Sequence, residues 1–245
     1  LTILKNANYV SVIGRDMERI VRAKAKELAS KSGLICNWSD SEHVKPIAAN
    51  DNLFLQQHPA LKNKFLFIYS GNMGRTHNIE DILSFAKIFE TENDYMFLII
   101  GGGVKFNKIM KEAKSLKNVM VLPYQSFELL PHVLNASIFC IVCLDKAFTG
   151  YTVPSKTYGI MAAGKPVIAF LAEDSEIGIT INNAQCGFVI GCKNDIYNLK
   201  QQIIKAIQTG EYEKMGYNAF QSFKANYTLE IASKKYYNLF KNTFQ

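Results

Sequence analysis

Three stretches of this 245-residue chain combine glycine with residue types that hold anions. The first is Ser70-Gly71-Asn72-Met73-Gly74-Arg75-Thr76-His77-Asn78. Its glycines let the backbone approach a ligand closely, and a following helix would offer amides that lack intrahelical partners. Arg75 adds a fork of donors matched to phosphate oxygens, and His77 a further loop donor or a surface residue. The spacing is G-x-x-G rather than the six-residue dinucleotide fingerprint, so a tight turn with a solvent-facing Arg75 reads equally well. The second stretch, Gly101-Gly102-Gly103, closes an apolar run. It would admit a base or ribose against the backbone, or serve as a flexible turn. The third runs from Gly150 through Tyr151, Thr152, Val153, Pro154, Ser155, Lys156 and Thr157 to Gly164-Lys165-Pro166. Pro154 fits the first turn of a helix, Ser155 and Thr157 cap it or contact an anion, and Gly164-Lys165-Pro166 stops it. This is either a phosphate cradle or a well-capped helix.

These loops need elements to position them. Apolar runs predict strands over 65–69, 95–100, 119–122, 137–144, 166–170 and 187–190, with helical patterns over 78–90, 105–115, 127–135, 155–163 and 175–183 between them, and a mostly helical tail. Near-continuous apolar strands alternating with helices predict a doubly wound parallel sheet of the α/β class, covered on both faces. Such sheets bind ligands at the carboxyl ends of their strands, where the three loops fall. Ahead of this pattern lie a strand over 9–13, a helix over 16–31 with Asp16 as N-cap, and a strand over 34–36. Residues 41–64, rich in Asn, Asp, Gln, His and Pro, read as a linker.

Composition narrows the function classes. With 48% hydrophobic, 20% charged and 12% aromatic residues the chain is an ordinary globular sequence, and no apolar run reaches the roughly 18 residues of a membrane span. The excess of 28 Lys and Arg over 21 Asp and Glu, a net +7, permits anionic partners, but the basic residues are dispersed and no aromatic-interleaved tract points to nucleic acid. Five cysteines sit in apolar surroundings; Cys140 and Cys143 are three apart in a strand and so face opposite sides, which argues against a shared metal and for a reducing cytoplasm. His43, His58 and His132 have no partners at metal spacing. The sequons at Asn37, Asn135 and Asn226 are read as chance matches in a chain without a secretion signal. A start on Leu1 suggests a piece of a longer protein.

At the third loop the sequence resembles the carboxyl-terminal half of retaining glycosyltransferases with two facing Rossmann-like domains, the GT-B architecture. The likeness is to the family 4-like branch that makes bacterial surface and capsular polysaccharides. Tyr69 to Arg75, Ile99 to Gly103, Pro154 to Tyr158, Met161 to Ala169, Asn37 to Asp40 and Cys186 to Val189 carry it, in that family's order along the chain. The resemblance implies residues 1–40 as a remnant of an amino-terminal acceptor domain, 65–226 as the nucleotide-sugar-binding domain, and 227–245 as a helix packing back toward the amino-terminal side.

It further implies a nucleotide diphosphate sugar as donor substrate, a saccharide or lipid-linked acceptor, no nucleic-acid partner, and a cytoplasmic location, including peripheral association at the inner membrane face. No metal or other cofactor is expected. Gly71, Asn72, Gly74 and His77, with Ser155, Lys156 and Thr157, would hold the diphosphate. Tyr151, Thr152, Val153 and Pro154 would line the sugar, and Gly101, Gly102 and Tyr124 the base. Arg75 and Lys156 are the expected catalytic cations, stabilising the leaving diphosphate. The chain departs from the pattern at Tyr151 and Gly159, where many relatives carry glutamates. Two other readings stand beside this one: an epimerase of the same architecture using Glu173, Asp174 and Glu176, and a nucleotide-sugar-binding module without catalysis.

Overall fold

Phe65, Leu66, Phe67, Ile68 and Tyr69 are apolar on both faces of a strand, so they demand cover on both sides and a central place in a sheet. In the computed structural model, which describes residues 2–191 and 195–244, Leu66 to Tyr69 receive both, while Phe65 at the start of the strand stays 36% exposed. The chain runs α1 (Thr2–Asn6), β1 (Val10–Val12), α2 (Arg15–Lys24), β2 (Ser32–Leu34), α3 (Leu53–Gln57), β3 (Phe65–Asn72), α4 (Ile79–Lys87) and β4 (Tyr95–Gly102). It continues through α5 (Phe106–Ala113), β5 (Val119–Leu122), α6 (Leu130–Ala136), β6 (Phe139–Cys143), α7 (Lys156–Ala162) and β7 (Val167–Phe170). The last elements are α8 (Glu176–Ala184), β8 (Gly187–Ile190), α9 (Ile196–Thr209), α10 (Glu211–Asn226) and α11 (Leu229–Phe244). Six strands form a parallel sheet in the order β5-β4-β3-β6-β7-β8, and a separate parallel pair joins β1 to β2.

Phe67 pairs with both Phe97 and Phe139 across the sheet. Odd-numbered side chains of β3, β4 and β6 pack with α4, α5 and α9 in one core. Even-numbered ones meet α6, α7, α8 and α10, and Phe54 of α3, on the other face. Cys140 and Cys143 accordingly belong to different cores, and Cys36, Cys140, Cys143 and Cys186 are all free thiols; Cys192 lies outside the described residues. The order of strand addition reverses between β3 and β6, since β4 and β5 build one way from β3 and β7 and β8 the other way from β6. That switch opens a crevice at the carboxyl ends of the strands.

Three expectations need correction. The first helix ends at Lys24, followed by a 3-10 turn at Lys26–Ala29, and extended Gly14, not Asp16, is its N-cap. Asp16 is instead buried, its Oδ2 accepting from the Gly150 amide at 3.0 Å and its Oδ1 from Met17 N at 2.8 Å. A long-range partner outweighed local capping. The second early strand is Ser32–Leu34, displaced toward the amino end because its register follows Val10↔Ser32 and Val12↔Leu34. The polar segment 41–64 is not an extended tether: it carries α3 and two 3-10 turns and buries Phe54 and Leu61. Its asparagines act as local clamps. Asn52 accepts from Leu55 N at 3.0 Å and donates to His132 O at 2.8 Å, while Asn135 of α6 accepts from Ile47 N at 2.9 Å and donates to Lys45 O at 2.9 Å.

Among the described residues, two ion pairs tie the first forty residues to the sheet domain, an exposed one between Arg19 and Asp174 at 3.3 Å and one between Arg15 and the buried Glu176. Arg15 Nε donates to Glu176 Oε2 and Arg15 Nη2 to Glu176 Oε1, both at 2.8 Å, with Glu176 only 1% exposed. The charge-assisted bonds hold the Arg15 guanidinium above its ordinary pKa against the opposing effect of burial. At the other end α11 returns beside β1 and β2, where Tyr236, Leu239 and Phe240 share small grooves with Tyr9, Ser11 and Leu34.

Candidate functional site

The first loop is shorter than its sequence suggests, because β3 runs on through Ser70, Gly71 and Asn72. Gly71 pairs with Gly101 of β4. A Cβ on Gly101 would overlap the Gly71 carbonyl oxygen, and both residues take positive φ, 150° at Gly71 and 147° at Gly101. Only glycine fits there. Tyr69 Oη donates to Asn72 O at 2.6 Å and Met73 N to Gly102 O at 2.6 Å, which fixes the exit of the strand.

Across the switch from Gly71, α7 brings up Lys156. Its Nζ is buried, has no hydrogen-bond partner, and rests over the Tyr69 ring at 3.9 Å from the centroid. It also fills the space a Cβ on Gly71 would need, so the second glycine role is to admit this ammonium. The residue as a whole is half-buried, its exposed surface lying on atoms other than Nζ. Removal from water pushes the Lys156 ammonium down to about 8. A buried cation that none of the described residues neutralises is an invitation to an anion.

The cavity it faces holds about 520 Å3, within the usual size of ligand sites. Ser70, Gly71, Ser155 and Lys156 form the polar end. Leu130, Val133 and Leu134 of α6, with Val44 and Ile160, form an apolar wall, and Trp38, Tyr124 and Phe127 stand at the rim, 39%, 58% and 66% exposed. Tyr124 lies against Gly102, where a Cβ would come within 2.9 Å of its Cε2. Phe127 is stacked on His43, ring centroids 3.7 Å apart, and His43 Nε2 lies 3.1 Å from Phe127 O. A second cavity of about 220 Å3 lies beside α4 and the ends of β7 and β8, and its one lysine, Lys146, is exposed.

The structure thus gathers Gly71, Ser155, Lys156 and Tyr124 of the expected set into one cavity, with Gly101 and Gly102 shaping its edge. Others it places elsewhere. Arg75 is exposed and outside the cavity lining, so the paired cations expected from sequence reduce to Lys156. Asn72 and Gly74 lie beyond the lining, the Asn72 amide packed toward Gly74 and Gly103. Burial, and then the Lys156 and Lys105 charges, push His77 down to about 4; it is a neutral imidazole in contact with Thr76 Oγ1 at 3.1 Å, not a phosphate-binding cation. Lys105, the other nearby lysine, is held by Glu80 at 3.0 Å.

Thr157 is fully buried and its Oγ1 donates to Pro154 O at 2.8 Å, so it shapes the turn rather than meeting a ligand. Val153 and Pro154 are buried, Tyr151 is exposed, and none of Tyr151, Thr152, Val153 and Pro154 lines the cavity. Ser155 is the N-cap of α7 but makes no side-chain cap bond. Glu176 is engaged by Arg15, and Asp174 by Arg19 at 3.3 Å, while Glu173 is exposed, and none of the three acids of the epimerase reading lines the cavity. No cluster of metal-ligating side chains occurs among the described residues, and among them no helix is long and apolar enough to cross a membrane.

Trp38, Ser39, Gln125, Ser126, Phe127 and the α6 wall escaped sequence reading as site residues. Leu130, Val133 and Leu134 are spaced as an ordinary core stripe, and nothing local marks that stripe as half-open.

Comparison with known proteins agrees with this geometry. Residues 51–222 match the family described as glycosyl transferases group 1. The probable glycosyltransferase WbjE of Pseudomonas aeruginosa is 31% identical over 188 residues, 76% of this chain and 46% of that protein. The putative colanic acid biosynthesis glycosyl transferase WcaI of Escherichia coli K12 is 28% identical over 179 residues, 71% of this chain and 43% of that one. The chain therefore spans less than half the length of these curated relatives. Among solved structures, Anabaena HepE in complex with UDP-glucose superposes with a TM-score of 0.79 at 13% identity, over 96% of this chain and 64% of that one. Sucrose-phosphate synthase from Thermosynechococcus elongatus gives 0.78 at 19%, over 99% and 60%. These structures share the fold, a Rossmann-like half of a GT-B enzyme. By the family match and the relatives alike, the chain belongs to the glycosyl transferases group 1 family.

Proposed function

We propose that the whole protein transfers a sugar from a nucleotide diphosphate sugar to an acceptor hydroxyl with retention, in polysaccharide or lipopolysaccharide synthesis, and that this chain carries the donor site. The observation that carries the reading is the unpartnered Lys156 Nζ at the polar end of a cavity whose far end is apolar and aromatic. A diphosphate matches the first and a base the second. That HepE was crystallised with UDP-glucose supports the same class of ligand.

In this reading the bond between the anomeric carbon and the diphosphate oxygen breaks, and negative charge grows on the leaving group. Lys156 meets that charge with a buried Nζ, where it acts more strongly than it would in open water. The departing phosphate takes the proton of the acceptor hydroxyl, and no side-chain triad is required. Lys156 supplies the positive charge that a metal ion would otherwise supply. Residues 1–40 would belong to the acceptor side, with 65–226 as the donor domain and 227–245 crossing between them. The acceptor is a saccharide or lipid-linked saccharide at the cytoplasmic face of the membrane.

The test is calorimetry of the chain against UDP, GDP and ADP, then Lys156→Ala in the full-length enzyme. We expect micromolar-to-millimolar binding of one nucleotide and a drop in turnover of about 100-fold or more. Unchanged turnover would remove Lys156 from the chemistry. Donor binding without any transfer by the full-length protein would favour the non-catalytic module.

A further inference from the structure

A nucleoside diphosphate joins diphosphate, pentose and base in fixed order, so a site that anchors the first constrains where the second lies. On the donor reading above, which this inference rests on, the diphosphate sits at Lys156 Nζ and Gly71. Lys156, Gly159 and Ile160 all line the cavity and are spaced i, i+3 and i+4 on α7, so they form one face of that helix. One turn advances about 5.4 Å, roughly the step from a diphosphate to its pentose. The pentose therefore falls against Gly159, with Leu130, Val133 and Leu134 left for the base.

Gly159 presents no side chain, and a Cβ there would meet only Ser39 Oγ, at 3.6 Å. Among the described residues lining the cavity none is Asp, Glu or His. Strong selection for a hydroxyl requires a buried polar group that is left unpaired when the hydroxyl is missing. The group nearest Gly159 is one neutral, rotatable hydroxyl, which can serve the 3′-hydroxyl that both pentoses carry. Such a bond is typically worth roughly fivefold in affinity.

We propose that this cavity does not select for the 2′-hydroxyl: it accepts 2′-deoxyribonucleoside diphosphate donors, the deoxythymidine class included, as readily as ribonucleoside ones, and Gly159 sets that indifference. Calorimetry of the chain with UDP, dUDP and dTDP tests it. The expected result is dissociation constants for UDP and dUDP within fivefold of each other. Gly159→Glu, whose Cβ has room, should tighten UDP and raise its preference over dUDP to tenfold or more, while Gly159→Ala leaves the ratio unchanged. UDP binding more than fivefold tighter than dUDP in the unaltered chain overturns this proposal and leaves the donor reading standing. A folded Gly159→Glu variant, checked by circular dichroism, that stays indifferent overturns the role of Gly159. Absence of binding by all three nucleotides overturns the donor reading, and this inference with it.

Discussion

Replacing Lys156 by Met should make the ligand-free chain more stable while destroying the proposed anion site. Burial lowers the Lys156 ammonium from its ordinary 10.5 to about 8, which corresponds to roughly 3 kcal/mol borne by the folded state while the group is charged. Against this, Met forfeits the contact of the ammonium with the Tyr69 ring at 3.9 Å, worth about 1 kcal/mol. The first effect wins, leaving a net gain near 2 kcal/mol, or roughly 4–8 °C in melting temperature for a chain of this size. The folded pKa is depressed, so between pH 8 and 10.5 the unfolded chain binds more protons than the folded one, and native stability rises with pH across that window. The advantage of Lys156→Met is therefore full below pH 8, shrinks between pH 8 and 10.5, and vanishes above. Thermal melts of both proteins at pH 7 and pH 10.5 measure it. Calorimetry of Lys156→Met with the nucleotide that binds should show affinity weakened about 100-fold, the scale for removing one side of a buried charge contact. In the unaltered chain, affinity should fall as pH rises through about 8. A variant that melts below the unaltered chain at pH 7, or that retains nucleotide affinity within twofold, would refute the assignment of an uncompensated cation.

Four further outcomes are expected. Gly101→Ala should cost about 3 kcal/mol or prevent folding, since its Cβ would meet the Gly71 carbonyl at a positive φ; denaturant titration measures it. Arg15→Ala leaves Glu176 buried without its guanidinium partner, for a loss of about 3 kcal/mol at pH 7 that urea melts would register. Thr157→Val removes one internal hydrogen bond and should cost about 1 kcal/mol with nucleotide affinity unchanged by calorimetry. Arg75→Ala, outside the cavity lining, should leave nucleotide affinity within about threefold; a 100-fold loss would return it to the site.

The sequence by itself determined the sheet and its polarity. Runs such as Phe65 to Tyr69 and Phe139 to Cys143 can be satisfied only between two layers of helices, and the regular alternation of strand and helix forces parallel pairing. It also marked Gly71, Gly101 and Lys156, because close backbone approach and a cation suited to an anion are properties of single residue types. The tertiary structure alone decided which polar residues were free. Asp16, Glu176 and Thr157 have partners 134, 161 and 3 positions away, and a side chain already satisfied cannot be told from a free one by its letter. Nor could the cavity wall be read from Leu130, Val133 and Leu134, since an apolar stripe looks the same whether protein or ligand completes it. A crevice exists only where segments distant in the chain fail to fill the space between them, and that is settled by packing.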